Sequence, residues 1–451
     1  MIEQNSLEKS IEDIAEKFLE SIKNKEIYII SHFDTDGITS AVIMIQALKK
    51  LDARFSLKIV KSLDEITIMG IPRDKVVMFL DLSSGSMNYI EKAKLTDVFV
   101  IDHHEIVQDI PKGINVINPE LHGKYKVSSS CLTYLFCKKI NSENKELAKL
   151  AILGMIGDTL EKEINFLSNT ILKDGDIQKK RGLIIYPSTR PLNRVLEFCS
   201  NPYIPDVTGN TEGVFSLLKE AGLSPVNGKY KTLLELEETE MTKLITSVLL
   251  KNTKHKTDEI VGDIFLIKFF NKIEDAREIS AMINACSRLK ETDTAIQLCM
   301  EIPKVKKKAE AIYVKYKQHI ISALKTSSEI EKIPGEGFVI INAKERIKDT
   351  LIGTITSILS RSNLYKHGTV IISMAYYDEF IKISARGVGK SGRNVREILN
   401  KVISITGGEV GGHENAAGGI IKKEKENEFI NLLKKNLEIE VVTLKSKDIS
   451  N

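Results

Sequence analysis

Apolar residues return every three or four positions at Leu7, Ile11, Ile14, Phe18 and Ile22, which predicts an amphipathic helix over 6–24. The pattern then changes to short, unbroken apolar runs. These predict strands at 26–31, 56–60, 75–81 and 97–102, with a mostly buried helix at 38–50 after the first strand. Strands rich in β-branched residues that alternate with helices predict a doubly wound parallel sheet. Further helices are expected at 128–139, capped by a serine cluster, and at 144–157. Pro187, Pro191, Pro202, Pro205 and Pro225 mark an irregular zone over 186–230, and helical patterns resume at 231–252 and 274–290.

The last third has a different rhythm. A helix at 308–325 leads to a strand at 337–342 and a helix at 350–361. Strands near 368–375 and 380–386 flank a hairpin at Tyr377-Asp378-Glu379, and a helix follows at 393–403. The glycine-rich run from Gly407 to Gly419 is expected to be neither regular helix nor strand, and a short strand and a helix close the chain. The expected organisation is a parallel-sheet α/β domain at 1–195, a mostly helical insert and linker at 196–305, and a smaller α/β domain at 306–451.

Composition narrows the classes. The chain of 451 residues has 42% hydrophobic and 28% charged residues, ordinary values for a globular protein with room for several domains. A net charge of +4 is too mild to establish nucleic-acid binding by itself. Five cysteines without a Cys-x-x-Cys pair give neither a zinc knuckle nor a redox motif, and are expected to be buried apolar residues. No apolar run approaches the roughly 18 residues of a membrane span, and no secretory signal is read, so a cytoplasmic location is expected.

The chemistry gathers where the predicted strands end. The first runs into Ser31-His32-Phe33-Asp34-Thr35-Asp36-Gly37, with Asp34 and Asp36 in a loop where Gly37 would relieve strain. The second ends at Asp81 and the third at Asp102-His103-His104, while Asp158 follows the helix at 144–157. Ligand sites of open parallel sheets form at these carboxyl ends. Several carboxylates could not all stay ionised in one crevice without cations between them. Asp34, Asp36, Asp81 and Asp158, with the imidazoles of His103 and His104, therefore read as a set suited to a hard to borderline divalent ion, Mn²⁺ or Mg²⁺. Two such ions about 3.5–4 Å apart would suit a phosphoryl displacement by water.

Arg386 with Gly411-Gly412-His413 forms a second constellation, in which glycines would admit a ligand close to the backbone and the arginine would grip a phosphate. Lys382, Lys390, Arg393 and Arg396 surround it and could follow a nucleic-acid backbone. Gly387-Val388-Gly389-Lys390-Ser391 is no P-loop, because Ser384 stands where the motif's first glycine belongs. In the middle of the chain, Arg277, Ser280, Asn284 and Arg288 share one face of a predicted helix.

The order SHFDTDGITSA, FLDLSSG, IDHH and GMIGDT, with the later GGH, resembles the DHH phosphoesterase superfamily, which includes RecJ exonucleases, nanoRNases, cyclic-dinucleotide phosphodiesterases and manganese pyrophosphatases. The resemblance implies a DHH domain followed by a DHH-associated C-terminal domain. It implies two divalent ions, Mn²⁺ first, held by Asp34, Asp36, Asp81, His103 and Asp158. His32 stands two residues before Asp34, where several members place a ligand histidine four before, and is carried as a candidate ligand. His104 matches a residue that contacts the reacting phosphate, Ser128, Ser129 and Ser130 fall near substrate, and Arg386, Gly411, Gly412 and His413 match the phosphate clamp. The middle segment resembles archaeal RecJ-like nucleases, so Arg277, Asn284 and Arg288 are candidates for substrate binding.

The implied function is a metal-dependent exonuclease acting on single-stranded DNA or RNA in replication or repair, with His104, Asp81 and Arg386 in the catalytic set. The strand would thread between the metal-binding and glycine-rich domains. The alternatives are a phosphodiesterase of short oligonucleotides or cyclic dinucleotides, and a replication-helicase scaffold with little activity. A pyrophosphatase is disfavoured by the form of the C-terminal domain. The implied partners are single-stranded nucleic acid and a replisome component such as GINS or a Hef-type helicase, with no membrane.

Overall fold

Buried β-branched runs with carboxylates at their exits pair as the pattern requires. In the computed structural model, which describes residues 2–123, 125–199, 202–251, 260–362, 364–389 and 392–448, strands β1 (Ile27–His32), β2 (Phe55–Val60), β3 (Val76–Leu80), β4 (Val98–Ile101) and β5 (Ile114–Ile117) form a parallel sheet of order β2-β1-β3-β4-β5. β5 extends the sheet beyond the strands expected from the sequence. The order reverses between β1 and β3, so the chain leaves these two strands in opposite directions and opens a crevice at their carboxyl ends. Ile30, Val77, Phe79, Val98 and Val100 pack in a core on this sheet.

The chain forms two compact units, Met1–Arg181 with Asp263–Val314, and Gly182–Gly262 with Lys315–Asn451. The first holds the parallel sheet and the helices Ile2–Ser21, Thr35–Lys50, Ser129–Ile140, Ala148–Gly157 and Ala276–Arg288. The expected helix at 38–50 begins earlier, at Thr35, because the Asp34 carboxylate accepts a hydrogen bond from the Gly37 N–H and caps it. Asp36 is thus in the first helical turn and not in a loop. Gly37 serves close approach, since a Cβ there would lie 2.3 Å from the His32 carbonyl oxygen.

The expected irregular zone contains two helices, Leu192–Glu197 and Thr211–Glu220. Strands β6 (Gln178–Leu183), β7 (Val261–Phe269) and β8 (Lys272–Asp275) form a sheet of order β6-β7-β8 that the helical reading of the middle region lacked. Within the second unit, Leu192, Val195, Val214, Leu217 and Leu244 share a small core of their own.

The same unit carries a six-stranded sheet of order β13-β14-β12-β11-β10-β9. Its strands are β9 (Ile333–Gly335), β10 (Phe338–Asn342), β11 (Val370–Tyr377), β12 (Phe380–Gly387), β13 (Glu409–His413) and β14 (Ala416–Lys422). The glycine-rich run is therefore strand, contrary to the sequence expectation. Gly412 has φ +116°, and a Cβ there would meet the Ala416 carbonyl oxygen at 2.4 Å, so glycine is what lets this edge strand pair. All five cysteines are buried, and none forms a disulfide among the described residues. Among the described residues no helix is long and apolar enough to cross a membrane.

The helix Ile2–Ser21 is fastened to the first unit by Phe18, whose ring meets Phe99 at 5.2 Å and Phe136 at 5.4 Å, both edge-on. Phe18 is completely buried. Phe18→Ala is expected to cost about 3–5 kcal/mol, read as a lowered denaturant midpoint in equilibrium unfolding.

Candidate metal centre

Each donor sits at the end of an element that fixes its direction. Asp34 caps the helix Thr35–Lys50 through Oδ1, and its Oδ2 lies 3.1 Å from His32 Nδ1. Asp81 follows β3 with φ +59°, a left-handed backbone that aspartate tolerates better than most residues. Its Oδ2 is 3.3 Å from His32 Nδ1 and its Oδ1 is 3.5 Å from His103 Nε2. Asp158 ends the helix Ala148–Gly157 and brings Oδ2 to 3.3 Å from the same His103 Nε2.

Asp36 is fully buried and lies against the N-terminus of the helix Ser129–Ile140. It accepts hydrogen bonds from the Ser129 N–H at 2.7 Å and the Ser130 N–H at 3.0 Å. The unpaired amides and positive end of that helix stabilise the carboxylate. The serine cluster, expected near substrate, holds this acid through the Ser129 and Ser130 amides, with Ser128 as the helix cap. The neighbouring helix Ala148–Gly157 reaches the same spot only because residue 154 is glycine. A Cβ on Gly154 would lie 2.5 Å from Asp36 Oδ1 and 2.1 Å from Ser130 Oγ.

The electrostatics are those of crowded anions. Burial, then the charge of Asp81, pushes Asp36 up to about 7. Burial, then the charge of Asp36, raises Asp158 well above the carboxylate range. Burial would lower the pKa of His32, but hydrogen bonds to Asp34 and Asp81 outweigh it and hold it at about 11. His103 is raised well above its ordinary value against the same burial by Asp81 and Asp158. Burial opposes ionisation of Asp81 too, yet His103 and His32 hold it below the usual range.

Asp81 Oδ1 and Asp158 Oδ2 are buried and have no hydrogen-bond partner among the described residues. Orphaned carboxylate oxygens facing imidazole nitrogens fit a divalent cation. The donors fall into three groups whose atoms lie within 4.8 Å of one another: His32, Asp34 and Asp81; Asp36, His103 and Asp158; and Asp81, His103 and His104. Every ligand expected from the sequence, His32 included, stands in one of them.

His104 differs from its neighbour. Its Nδ1 is 2.7 Å from Asp102 Oδ1 and 3.9 Å from Asp81 Oδ1, and its side chain is 43% exposed. Asp102 was not assigned a role from the sequence. It is buried, accepts from the Ser84 N–H at 3.0 Å and the His103 N–H at 2.8 Å, and so orients His104 and ties together the loops after β3 and β4. Against the effect of burial, His104 keeps the Asp102 carboxyl below its ordinary range. An acid closing a buried strand directly before two histidines was the available signal. Asn118 supports the same turn by donating to the His104 carbonyl oxygen at 2.9 Å.

The middle-helix candidates separate. Arg277 is buried and paired with Asp275 at 2.9 Å, which gives it a structural partner. Arg288 donates to Asn284 Oδ1 at 3.4 Å and lies over the Phe33 ring at 5.3 Å. Because Phe33 sits between His32 and Asp34, Asn284 and Arg288 border the metal donors. Thr35 donates to the Ser280 carbonyl oxygen at 3.2 Å on the same face.

In the second unit, Arg386 pairs in register with Ala416, which pairs with His413, so Arg386 and the GGH strand share one end of the sheet. Arg386 Nε donates to Ser357 Oγ at 3.0 Å, and Nη1 to the Ala385 and Ala417 carbonyl oxygens at 2.8 and 3.2 Å. Arg393 does not face a nucleic-acid path. It is buried and donates to the Leu437 and Gly337 carbonyl oxygens. Lys390 lies outside the described residues.

Three family models match the chain: the DHH family, N-terminal domain, over residues 26–155; the DHH-CID domain over 186–260; and the DHHA1 domain over 337–438. An uncharacterized protein of Methanocaldococcus jannaschii is 27% identical over 94% of this chain and 96% of its own. RecJ of Thermus thermophilus, solved in complex with Mn²⁺, superposes with a TM-score of 0.61 at 16% identity, over 95% of this chain and 54% of that one. The chain thus spans about half of that RecJ. CDC45 of Entamoeba histolytica gives a TM-score of 0.69 at 12% identity, over 95% and 99% of the two chains. At these identities the likeness to the two solved structures is one of fold.

Two outcomes are expected. Groups with raised pKa values hold protons until the pH exceeds those values, and a bound cation must displace them. Mn²⁺ affinity should therefore rise between pH 6 and 8 by about tenfold per unit for each displaced proton, with proton release detectable by calorimetry in buffers of different ionisation enthalpy. Gly154→Ala should push the Asp36 and Ser130 side chains apart, lower stability by about 1–3 kcal/mol and weaken Mn²⁺ binding, measured by thermal unfolding with and without the ion.

Proposed function

We propose that this chain, which belongs to the DHH superfamily of phosphoesterases, is a metal-dependent exonuclease that hydrolyses phosphodiester bonds of single-stranded DNA or RNA from an end. One observation carries the reading. The donors include two three-residue groups with no member in common: His32, Asp34 and Asp81, and Asp36, His103 and Asp158. That is the provision expected for two cations, Mn²⁺ first and Mg²⁺ second, and the RecJ it resembles in fold was solved with Mn²⁺. Bound there, the ions would supply an activated water and neutralise charge on the phosphoryl oxygens.

The remaining work falls to side chains. With Nδ1 engaged by Asp102, His104 offers Nε2 to a non-bridging phosphate oxygen, and its pKa, raised by Asp102 despite burial, favours the donating form. Asp81 lies in reach of both histidines and stays ionised. In the second unit, β13 is an edge strand, so some of its backbone groups face away from β14. Gly411, Gly412, His413 and Arg386 are proposed to hold a phosphate there. Arg288 and Asn284 at the rim of the metal donors are proposed substrate contacts. The fold likeness to CDC45 supports a place in replication or repair, with GINS or a Hef-type helicase as partners to test.

Strands labelled at the 5′ or 3′ end, incubated with Mn²⁺ or Mg²⁺, should release mononucleotides from one end. Asp34→Ala and His103→Ala should each lower the rate by about a thousandfold or more. Asp102→Asn, which leaves the ligands in place, should lower it by about 10–100-fold. Turnover of dinucleotides alone would replace the exonuclease with a small-substrate phosphodiesterase, and no turnover of either substrate would favour a scaffold.

A further inference from the structure

The second unit contains a pocket of about 380 Å³. It is formed by the segment around Tyr203, the later part of the helix Pro303–Glu329, and the end of the helix Asp349–Arg361 with Tyr365 beyond it. A volume near the lower end of the roughly 300–1,000 Å³ of small-molecule sites admits one ring system with a charged substituent, and not an oligonucleotide.

The lining is specific in kind. Ile358 and its neighbours give an apolar wall, and Tyr203 and Tyr365 add two aromatic rings. Lys325 and Lys332 bring two positive charges, and among the described residues no carboxylate lines the space. Neither lysine side chain has an ion pair or hydrogen bond among the described residues. Ser327, also in the lining, is 1% exposed, yet its hydroxyl has no hydrogen-bond partner. A buried hydroxyl left unpaired is unfavourable and is the ordinary mark of a missing polar partner.

We propose that this pocket binds a nucleoside monophosphate, with the base against Tyr203, Tyr365 and Ile358, the phosphate on Lys325 and Lys332, and a polar atom of the ligand on Ser327. Aromatic rings and unpaired cations around an apolar wall call for a flat apolar body carrying an anion. The choice of a nucleotide over another aromatic anion rests on the phosphodiesterase reading, since such an enzyme releases nucleotides. The pocket shares no residue with the metal donors, so occupancy would report product level at a second place on the chain.

The test is calorimetric titration of dAMP into the full chain stripped of divalent ions, beside Lys332→Glu, Tyr365→Ala and Ser327→Val. Saturable binding is expected, at least tenfold weaker in Lys332→Glu and in Tyr365→Ala, and measurably weaker in Ser327→Val, with melting temperatures unchanged. Deoxyadenosine should bind at least tenfold more weakly than dAMP. Absence of saturable dAMP binding, or binding that neither Lys332→Glu nor Tyr365→Ala weakens, would overturn the proposal. Phenyl phosphate binding as tightly as dAMP would overturn the nucleotide assignment. Binding as expected in a chain that cleaves no strand would sustain the pocket while removing the nuclease, so the two failures are separable.

Discussion

Four carboxylates confined with two imidazoles at the carboxyl ends of a parallel sheet's inner strands set the terms for the rest of the first unit. Asp34, Asp36, Asp81 and Asp158 come from three different elements. Their mutual repulsion must be carried by whatever surrounds them. Part is carried by His32 and His103, which the acids hold protonated. Part is carried by the N-terminus of the helix Ser129–Ile140, whose amides meet Asp36. The remainder is unmet: Asp81 Oδ1 and Asp158 Oδ2 share the one His103 imidazole as their neighbouring cation, and neither has a hydrogen-bond partner among the described residues. The small residues around the cluster follow from the same constraint. Gly37 and Gly154 are where the backbone and the helices come closest, and any side chain there would displace an acid or the His32 carbonyl.

The strand ends were legible in the sequence because a strand buried on both faces is an unbroken apolar run, and polar residues at its exit stand out against it. The switch in strand order then gathers exits that are far apart in sequence, and nothing in a linear pattern weighs against that. What the pattern hid were features decided by packing. The start of the helix at Thr35 depends on a cap, and an aspartate cap and an aspartate ligand look alike in sequence. The GGH segment reads as irregular chain in sequence because glycine is poor in strands. At an edge, with Gly412 at φ +116°, the absence of side chains is what permits the pairing. β7 and β8 are joined by a short turn inside a region read as helical, and the interleaving of the two units is a property of contacts that no local window contains.

The paired histidines show how one dipeptide divides into two roles. His103 Nε2 faces two carboxylates and shares in two donor groups. His104 is turned by Asp102, a buried acid that also binds the backbone of both loops. His104 shares a donor group with Asp81 and His103, but its Nδ1 lies 2.7 Å from Asp102 and 3.9 Å from Asp81, so Asp102 is the acid that holds it. On the proposed assignment, the acid at the strand end would separate a metal-binding imidazole from a substrate-facing one, and the separation is structural before it is chemical.

The same physics bears on whether the chain is an enzyme or only a scaffold. A fold shared with CDC45 at 12% identity is compatible with either. A buried cluster of like charges destabilises a protein that makes no use of cations. Changing Asp36 to asparagine in such a protein would keep an acceptor for the Ser129 and Ser130 amides and remove a charge whose burial raises its pKa to about 7. Substitutions of that kind are easily found where nothing opposes them. Here all four acids, both imidazoles and the glycine that admits Asp36 are present together, each fitted to the next. The arrangement is costly for folding and apt for cations, and that combination is what distinguishes a working centre from the frame around it.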